Sequence, residues 1–358
     1  MSENAKFFLP GPVYVRDEIK EAMKGPTIGH RSKEFSVLYE KIVKGVAEIL
    51  HTEGRVYLSS STATGLMEAA ARNVIKKSSL HLICGSFGQL WYNIAKSCGK
   101  DAVPLEVDWG KAIKPETVRS ALAEGNFDTV CVTHNETSTG VMNPLKEISD
   151  VVKEFDDVAL IVDAVSSMAG IDIPVDEWGL DVCLASVQKA WALPPGFSIA
   201  SVSARALERS KSAENKGFYF DFESFEKYHL RSQTISTAST PHMYALSKQI
   251  DDMLADGMEN RYKKIVQMAE RVREWAEENF GLFAEEGYLS PTVTCIKNTK
   301  NIDVASLLNK LSDKGYVIGN GYGKLKGETF RIAHMGDLIL NDIEMLLQTI
   351  DETLKEMG

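Results

Sequence analysis

The chain has 358 residues, 44% of them hydrophobic and 25% charged, with a formal net charge of −10. The length suggests roughly two domains of about 150 residues in an ordinary globular protein. The acidic balance argues against nucleic acid or an anionic membrane as a partner, while leaving room for a local basic pocket. The five cysteines (Cys84, Cys98, Cys131, Cys183 and Cys295) are scattered, with no pair at metal-ligand spacing, so no metal is expected. They point to reduced thiols and a cytoplasmic home.

The N-terminal stretch Met1 to Lys6 precedes only a short apolar patch ended by Pro10-Gly11-Pro12, which is no secretory signal, and no apolar run is long enough to span a bilayer. From Val56 to Val202 short apolar strands alternate with helical patterns. The strands are expected at 56–58, 80–83, 129–132, 159–162, 182–185 and 198–202, with helices marked by Leu66, Ala70 and Val74 and by Leu90, Ile94 and Cys98. This alternation predicts an α/β protein with a largely parallel sheet flanked by helices. After Thr240-Pro241 the texture changes to one or two amphipathic helices interrupted at Gly257. Further on come a strand at 292–296, a helix at 304–314, a strand at 329–333 and a helix at 342–354. The division expected is a large domain over 20–245 and a smaller α+β domain formed by 246–358 with an N-terminal arm, 1–19.

The strand ends carry the chemistry. Ser59 to Ala69 follows a strand and opens a helix, so its hydroxyls either cap that helix or join its free amides in holding a phosphate. Gly85-Ser86-Phe87-Gly88 places an aromatic at the next strand end, where it either stacks on a flat ring or packs inward. His134 to Gly140 is dense in hydrogen-bonding groups. Asp163 ends the apolar strand 159–162, and Lys189 follows the strand 182–185. A lysine able to form a Schiff base, with an aspartate for a pyridinium nitrogen, is the minimum apparatus for pyridoxal phosphate chemistry. Strand alternation at 329–333 sends Phe330 and Ile332 to one face and Arg331 to the other, suited to gripping a carboxylate.

The ordered set His134-Asn-Glu-Thr-Ser-Thr-Gly140, Val162-Asp163-Ala-Val-Ser-Ser167, Ser186-Val-Gln-Lys189 with Pro194-Pro-Gly196, and Phe330-Arg331-Ile-Ala-His-Met-Gly336 resembles class V aminotransferases of fold type I. The similarity is greatest to the alanine–glyoxylate and serine–pyruvate group, and it runs from Pro10 to the C-terminal domain. The resemblance implies pyridoxal 5′-phosphate as cofactor, held by the large domain, and a homodimer. It makes Lys189 the Schiff-base lysine and Asp163 the partner of the pyridine nitrogen. Val165 and Phe87 would cover the two ring faces, and Thr137 would face the phenolic oxygen. Thr62, Ala63, Thr64 and Gln188 would hold the phosphate, with Thr237 reaching in from a neighbouring subunit, and Arg331 would bind the substrate carboxylate.

The chain departs from the family pattern at Ser60-Ser61-Thr62-Ala63, where relatives carry a glycine-rich loop, and at Thr234, where some carry tyrosine. The expected reaction moves an amino group from a small amino acid, alanine or serine, to a 2-oxo acid, glyoxylate or pyruvate. An aspartate donor would need a second cation, for which Arg31 and His334 are the candidates. A desulfurase or lyase would need a cysteine near the cofactor and typically a histidine where Gln188 stands. A non-catalytic relative would be expected to have lost Lys189, Asp163 or Arg331.

Overall fold

The computed structural model describes residues 5–357. Met1 to Asn4, part of the stretch weighed as a secretory signal, lie outside the described residues. The strands in chain order are β1 (Lys6–Phe8), β2 (Arg55–Ser59), β3 (Ser78–Ile83), β4 (Asp101–Glu106), β5 (Thr129–Thr133), β6 (Asn135–Glu136) and β7 (Val141–Met142). They continue with β8 (Ala159–Asp163), β9 (Val182–Ser186), β10 (Ser198–Val202), β11 (Val293–Lys297), β12 (Tyr316–Asn320) and β13 (Thr329–Ala333).

Seven strands form the large sheet in the order β2-β10-β9-β8-β5-β3-β4. Pairings among β9, β8, β5, β3 and β4 are parallel, while β10 runs antiparallel to both β9 and β2. Strands β5, β8, β9 and β10 are buried along their whole length, as strands covered on both faces must be. The crossover helices lie on the two faces, and the strand-to-helix turns after β2, β3, β5, β8 and β9 gather at one edge. That edge is where ligands of such sheets bind.

The second sheet has the order β1-β12-β13-β11. The N-terminal strand β1 pairs parallel with β12, in register Lys6 with Tyr316. Phe8, Ile318, Phe330 and Ile332 join Ile265, Val272 and Leu346 in a separate apolar core. The helix Thr240–Asp256 crosses the boundary expected at residue 245. Its Met243, Leu246, Ile250 and Met253 pack into the core of the large sheet, beside Ile42 and Val46. Gly257, whose φ is 84°, separates that helix from Met258–Asn279, which bridges the two cores: Met258 still packs on the first, while Ile265, Met268 and Val272 belong to the second. The helix break at Gly257 was expected, but periodicity does not tell which core each helix meets, because both helices are amphipathic and only their partners differ.

Candidate functional site

Nine of the eleven expected site residues line one cavity at that edge: Thr62, Ala63, Thr64, Phe87, Thr137, Asp163, Val165, Gln188 and Lys189. Met67, Leu90, Asn135 and Ser166 complete its wall.

Its floor is the N-terminus of the helix Ala63–Val74. Thr62 is the N-cap residue in an extended conformation, but its hydroxyl makes no capping bond. The first amides of this helix are thus left with the positive end of the dipole and a free hydroxyl, an arrangement suited to an anion. Ala63 is buried and packs into the cluster around Leu66 and Tyr57.

Asp163 ends β8 with its carboxyl buried. Oδ1 accepts from the Val165 amide at 2.9 Å, and the Thr133 hydroxyl lies 3.3 Å from Oδ2. Burial raises the carboxyl to about 7, the nearby Glu136 adds to this, and the two hydrogen bonds and Lys189 only partly oppose it. A cation in the cavity would reverse that balance. Lys189 sits beyond β9 with its amine donating to the Pro10 carbonyl. Desolvation, then the Arg331 charge, depress it to about 8, against the pull of Asp163. A buried acid raised and a buried lysine lowered toward neutrality in the same cavity mark a functional site.

Three features here were not expected from the sequence. Pro10-Gly11-Pro12 is the first. It packs on Lys189 in the same chain, and the Val13 amide donates to the Gln188 carbonyl at 3.1 Å. Glu136 is the second, a fully buried carboxylate that accepts from the amides of Phe87 (2.9 Å), Gly88 (3.1 Å) and Ser138 (3.1 Å) and from the Ser138 hydroxyl. It thereby caps the helix Ser86–Ser97 and fixes the backbone that presents Phe87; burial pushes its pKa up, against those bonds. Asn135 is the third: its Nδ2 donates to the Thr292 hydroxyl at 2.6 Å while its Oδ1 is buried without a partner among the described residues.

Arg331 does not line the cavity but stands directly behind Thr137. Its Nη1 donates to the Thr137 carbonyl at 3.1 Å and its Nε to the Asn320 carbonyl at 2.8 Å. Thr237 is exposed and lines no part of its own chain's cavity. Thr234 is buried, its hydroxyl donating to the Ser236 carbonyl at 2.7 Å. Neither candidate second cation reaches the site. Arg31 holds Gln233 and the Thr234 carbonyl and lies over Tyr228. His334 is buried against Thr294 at 2.9 Å and pushed down to about 3, chiefly by desolvation, so it is uncharged at neutral pH. None of the five cysteines lines the cavity. Among the described residues no helix is long and apolar enough to cross a membrane, and no cluster of His, Cys, Asp or Glu is placed to hold a metal.

A doubly wound sheet carrying a lysine, an acid and an anion-ready helix end in one cavity defines a fold type I, pyridoxal phosphate-type scaffold. The family profile of class-V aminotransferases matches residues 15–321, and the chain belongs to that family. It is 37% identical to an uncharacterized aminotransferase of Methanocaldococcus jannaschii, over 98% of this chain and 92% of the relative. It is 30% identical to a serine–glyoxylate aminotransferase of Arabidopsis thaliana, over 98% and 90%. Among solved structures, an alanine–glyoxylate aminotransferase from Nostoc sp. superposes with a TM-score of 0.94 at 26% identity, covering 99% of this chain and 96% of the other. The chain is accordingly a transaminase, acting on amino and 2-oxo acids, in a family that uses pyridoxal phosphate.

Proposed function

We propose that this aminotransferase uses pyridoxal 5′-phosphate to move an amino group from alanine or serine to glyoxylate or pyruvate. The observation that carries the reading is the meeting of Lys189 and Asp163 in one cavity with the open N-terminus of the helix Ala63–Val74. The residues suit the cofactor. Gln188 and Asn135 each present a buried amide oxygen without a partner among the described residues, so both oxygens are free to accept from a ligand. When bound, the cofactor supplies an electron-accepting ring conjugated to the substrate Cα.

Thr62, Ala63, Thr64 and Gln188 would hold the phosphate, and Asp163 would take the pyridine nitrogen. Phe87 and Val165 would cover the ring faces, Thr137 would meet the phenolic oxygen, and Lys189 would hold the cofactor at rest. Burial and the Arg331 charge favour the neutral Lys189 amine, which once free would be placed to take up the substrate's Cα proton and return it. Arg331 holds the α-carboxylate.

The donor is small because the site offers one guanidinium. A second buried carboxylate would be unpaired and costly, with Arg31 and His334 both engaged elsewhere. Relatives named serine–glyoxylate and alanine–glyoxylate aminotransferase support the same choice. The active unit in this reading is a cytoplasmic homodimer, with the exposed Thr237 completing the neighbour's phosphate site. Single-turnover absorbance changes with each amino acid test the donor: a specificity constant for aspartate tenfold above those for alanine and serine overturns it. Sedimentation of a fully active monomer overturns the dimer.

A further inference from the structure

We propose that Tyr322 is a positioning residue of the amino-acid site, its ring bracing both Phe87 and the Arg331 guanidinium so that the substrate carboxylate is held firmly. The proposal rests on the reading of Arg331 as the carboxylate ligand.

Tyr322 lies between β12 and β13 of the small sheet, yet its loop reaches across to the large one. A Cβ added at Gly321 would stand 1.9 Å from the Leu325 carbonyl oxygen, so the tight turn that starts this loop admits only glycine. Beyond it, Gly323 approaches the Ser86 hydroxyl and Trp109, and the Lys324 amine lies 4.3 Å from the Trp109 ring centroid. These contacts seat the loop on the start of the helix that carries Phe87. There the Tyr322 ring meets the Phe87 ring at 5.3 Å between centroids, tilted by 31°, and the Arg331 Cζ lies 5.4 Å from the Tyr322 centroid.

Arg331 spends Nε and Nη1 on the carbonyls of Asn320 and Thr137, while Nη2 makes no hydrogen bond among the described residues. Two backbone bonds fix one edge of the guanidinium, and the Tyr322 ring stands against its Cζ. Phe87 has its amide fixed by Glu136, but its ring is backed on the outer side by Tyr322. Tyr322 itself is 45% exposed, and its hydroxyl makes no hydrogen bond among the described residues. The aromatic face, rather than the phenol, therefore does the bracing. A cation–π contact of this exposure changes a binding constant about two- to fivefold, and an aromatic pair adds to it.

The test uses the cofactor-loaded enzyme and propionate, a carboxylate with no amino group to react. In Tyr322→Ala, the Kd for propionate and the KM for the amino donor should each rise about fivefold, with kcat within twofold of wild type. Tyr322→Leu, which keeps bulk without a π face, should lose as much, and Tyr322→Phe should restore both constants to within twofold. Constants for Tyr322→Ala and Tyr322→Leu within twofold of wild type overturn the proposal, as does a Tyr322→Phe enzyme as weak as Tyr322→Ala. A wild-type enzyme that turns over no amino acid sinks the functional reading instead, and the propionate titration, which needs no chemistry, still decides Tyr322. A wild type that binds no propionate overturns it.

Discussion

Gly11 lies so close to Lys189 that a Cβ at this glycine would stand 2.5 Å from the lysine Cδ and 2.7 Å from its Nζ. Its φ of +110° is also one that residues with side chains rarely adopt. The arm and the lysine are thus fitted to each other, the Pro10 carbonyl receiving the amine and Gly11 leaving it room. Gly11→Ala should destabilise the protein by about 2 kcal/mol through backbone strain and crowding. It should also slow cofactor loading, followed by the growth of visible absorbance after pyridoxal phosphate is added to cofactor-free protein. Loading at the wild-type rate would show that the arm does not set the position of Lys189.

The pH behaviour of cofactor-free protein should carry the mark of Asp163. Its carboxyl is raised from 3.8 to about 7 in the folded state, so between these values the unfolded chain releases a proton that the folded chain keeps. Stability from this group is present at low pH and lost as pH rises toward 7, by roughly 4 kcal/mol in full. Asp163→Asn removes that dependence. The variant should match wild type in urea melts near pH 4 and exceed it increasingly up to pH 7, while losing most of its transaminase activity. A stability difference flat across that range would remove the buried-acid assignment.

Lys189 should control the rate at which cofactor is captured. Its neutral amine is the nucleophile, and desolvation places its titration near 8. Below that value the capture rate should climb up to tenfold per pH unit, levelling above it, in stopped-flow absorbance measurements. Lys189→Ala should fold normally and show no turnover. Lys189→Arg should fail as well, because a guanidinium stays protonated.

Glu136 tests whether Phe87 is held from behind. Glu136→Ala strands the amides of Phe87, Gly88 and Ser138 in a buried position, at about 1–3 kcal/mol for each unsatisfied donor after relaxation. Urea unfolding should show a loss of at least roughly 3 kcal/mol, and cofactor affinity should fall with it. Glu136→Gln keeps an acceptor and should lose less than half as much. Equal losses in the two variants would mean that the negative charge, not the hydrogen-bond geometry, is what this helix start requires.

The large sheet was legible because its inner strands are apolar throughout and end abruptly in polar residues, as at Val162-Asp163 and Ala185-Ser186. The edge strand β4 escaped because most of its residues are exposed and Pro104 interrupts it. The three-residue β1 and the five-residue β12, only two of whose residues are buried, offered too little pattern to separate from a turn. Asp163, Lys189, Phe87 and the segments 59–69 and 134–140 were recoverable because each follows a strand, while the parts of Ala63, Thr137, Val165 and Gln188 rested on the resemblance to class V aminotransferases. Glu136 was hidden in plain view within the polar run 134–140, since only burial distinguishes it from its neighbours. The contact of Pro10 with Lys189 joins residues 179 positions apart and leaves no local signal.

The pairing of β1 with β12 sets an order on assembly. Lys6 finds its partner at Tyr316, so during synthesis the first strand has no edge to join until nearly the whole chain has emerged. The large sheet, complete by Val202, can form long before that. The strand that leads into the arm is therefore anchored last, although it was made first. Until then the arm is held only by its own contacts with Gln188 and Lys189, so cofactor arriving early would meet a lysine whose cover is not yet pinned at its far end.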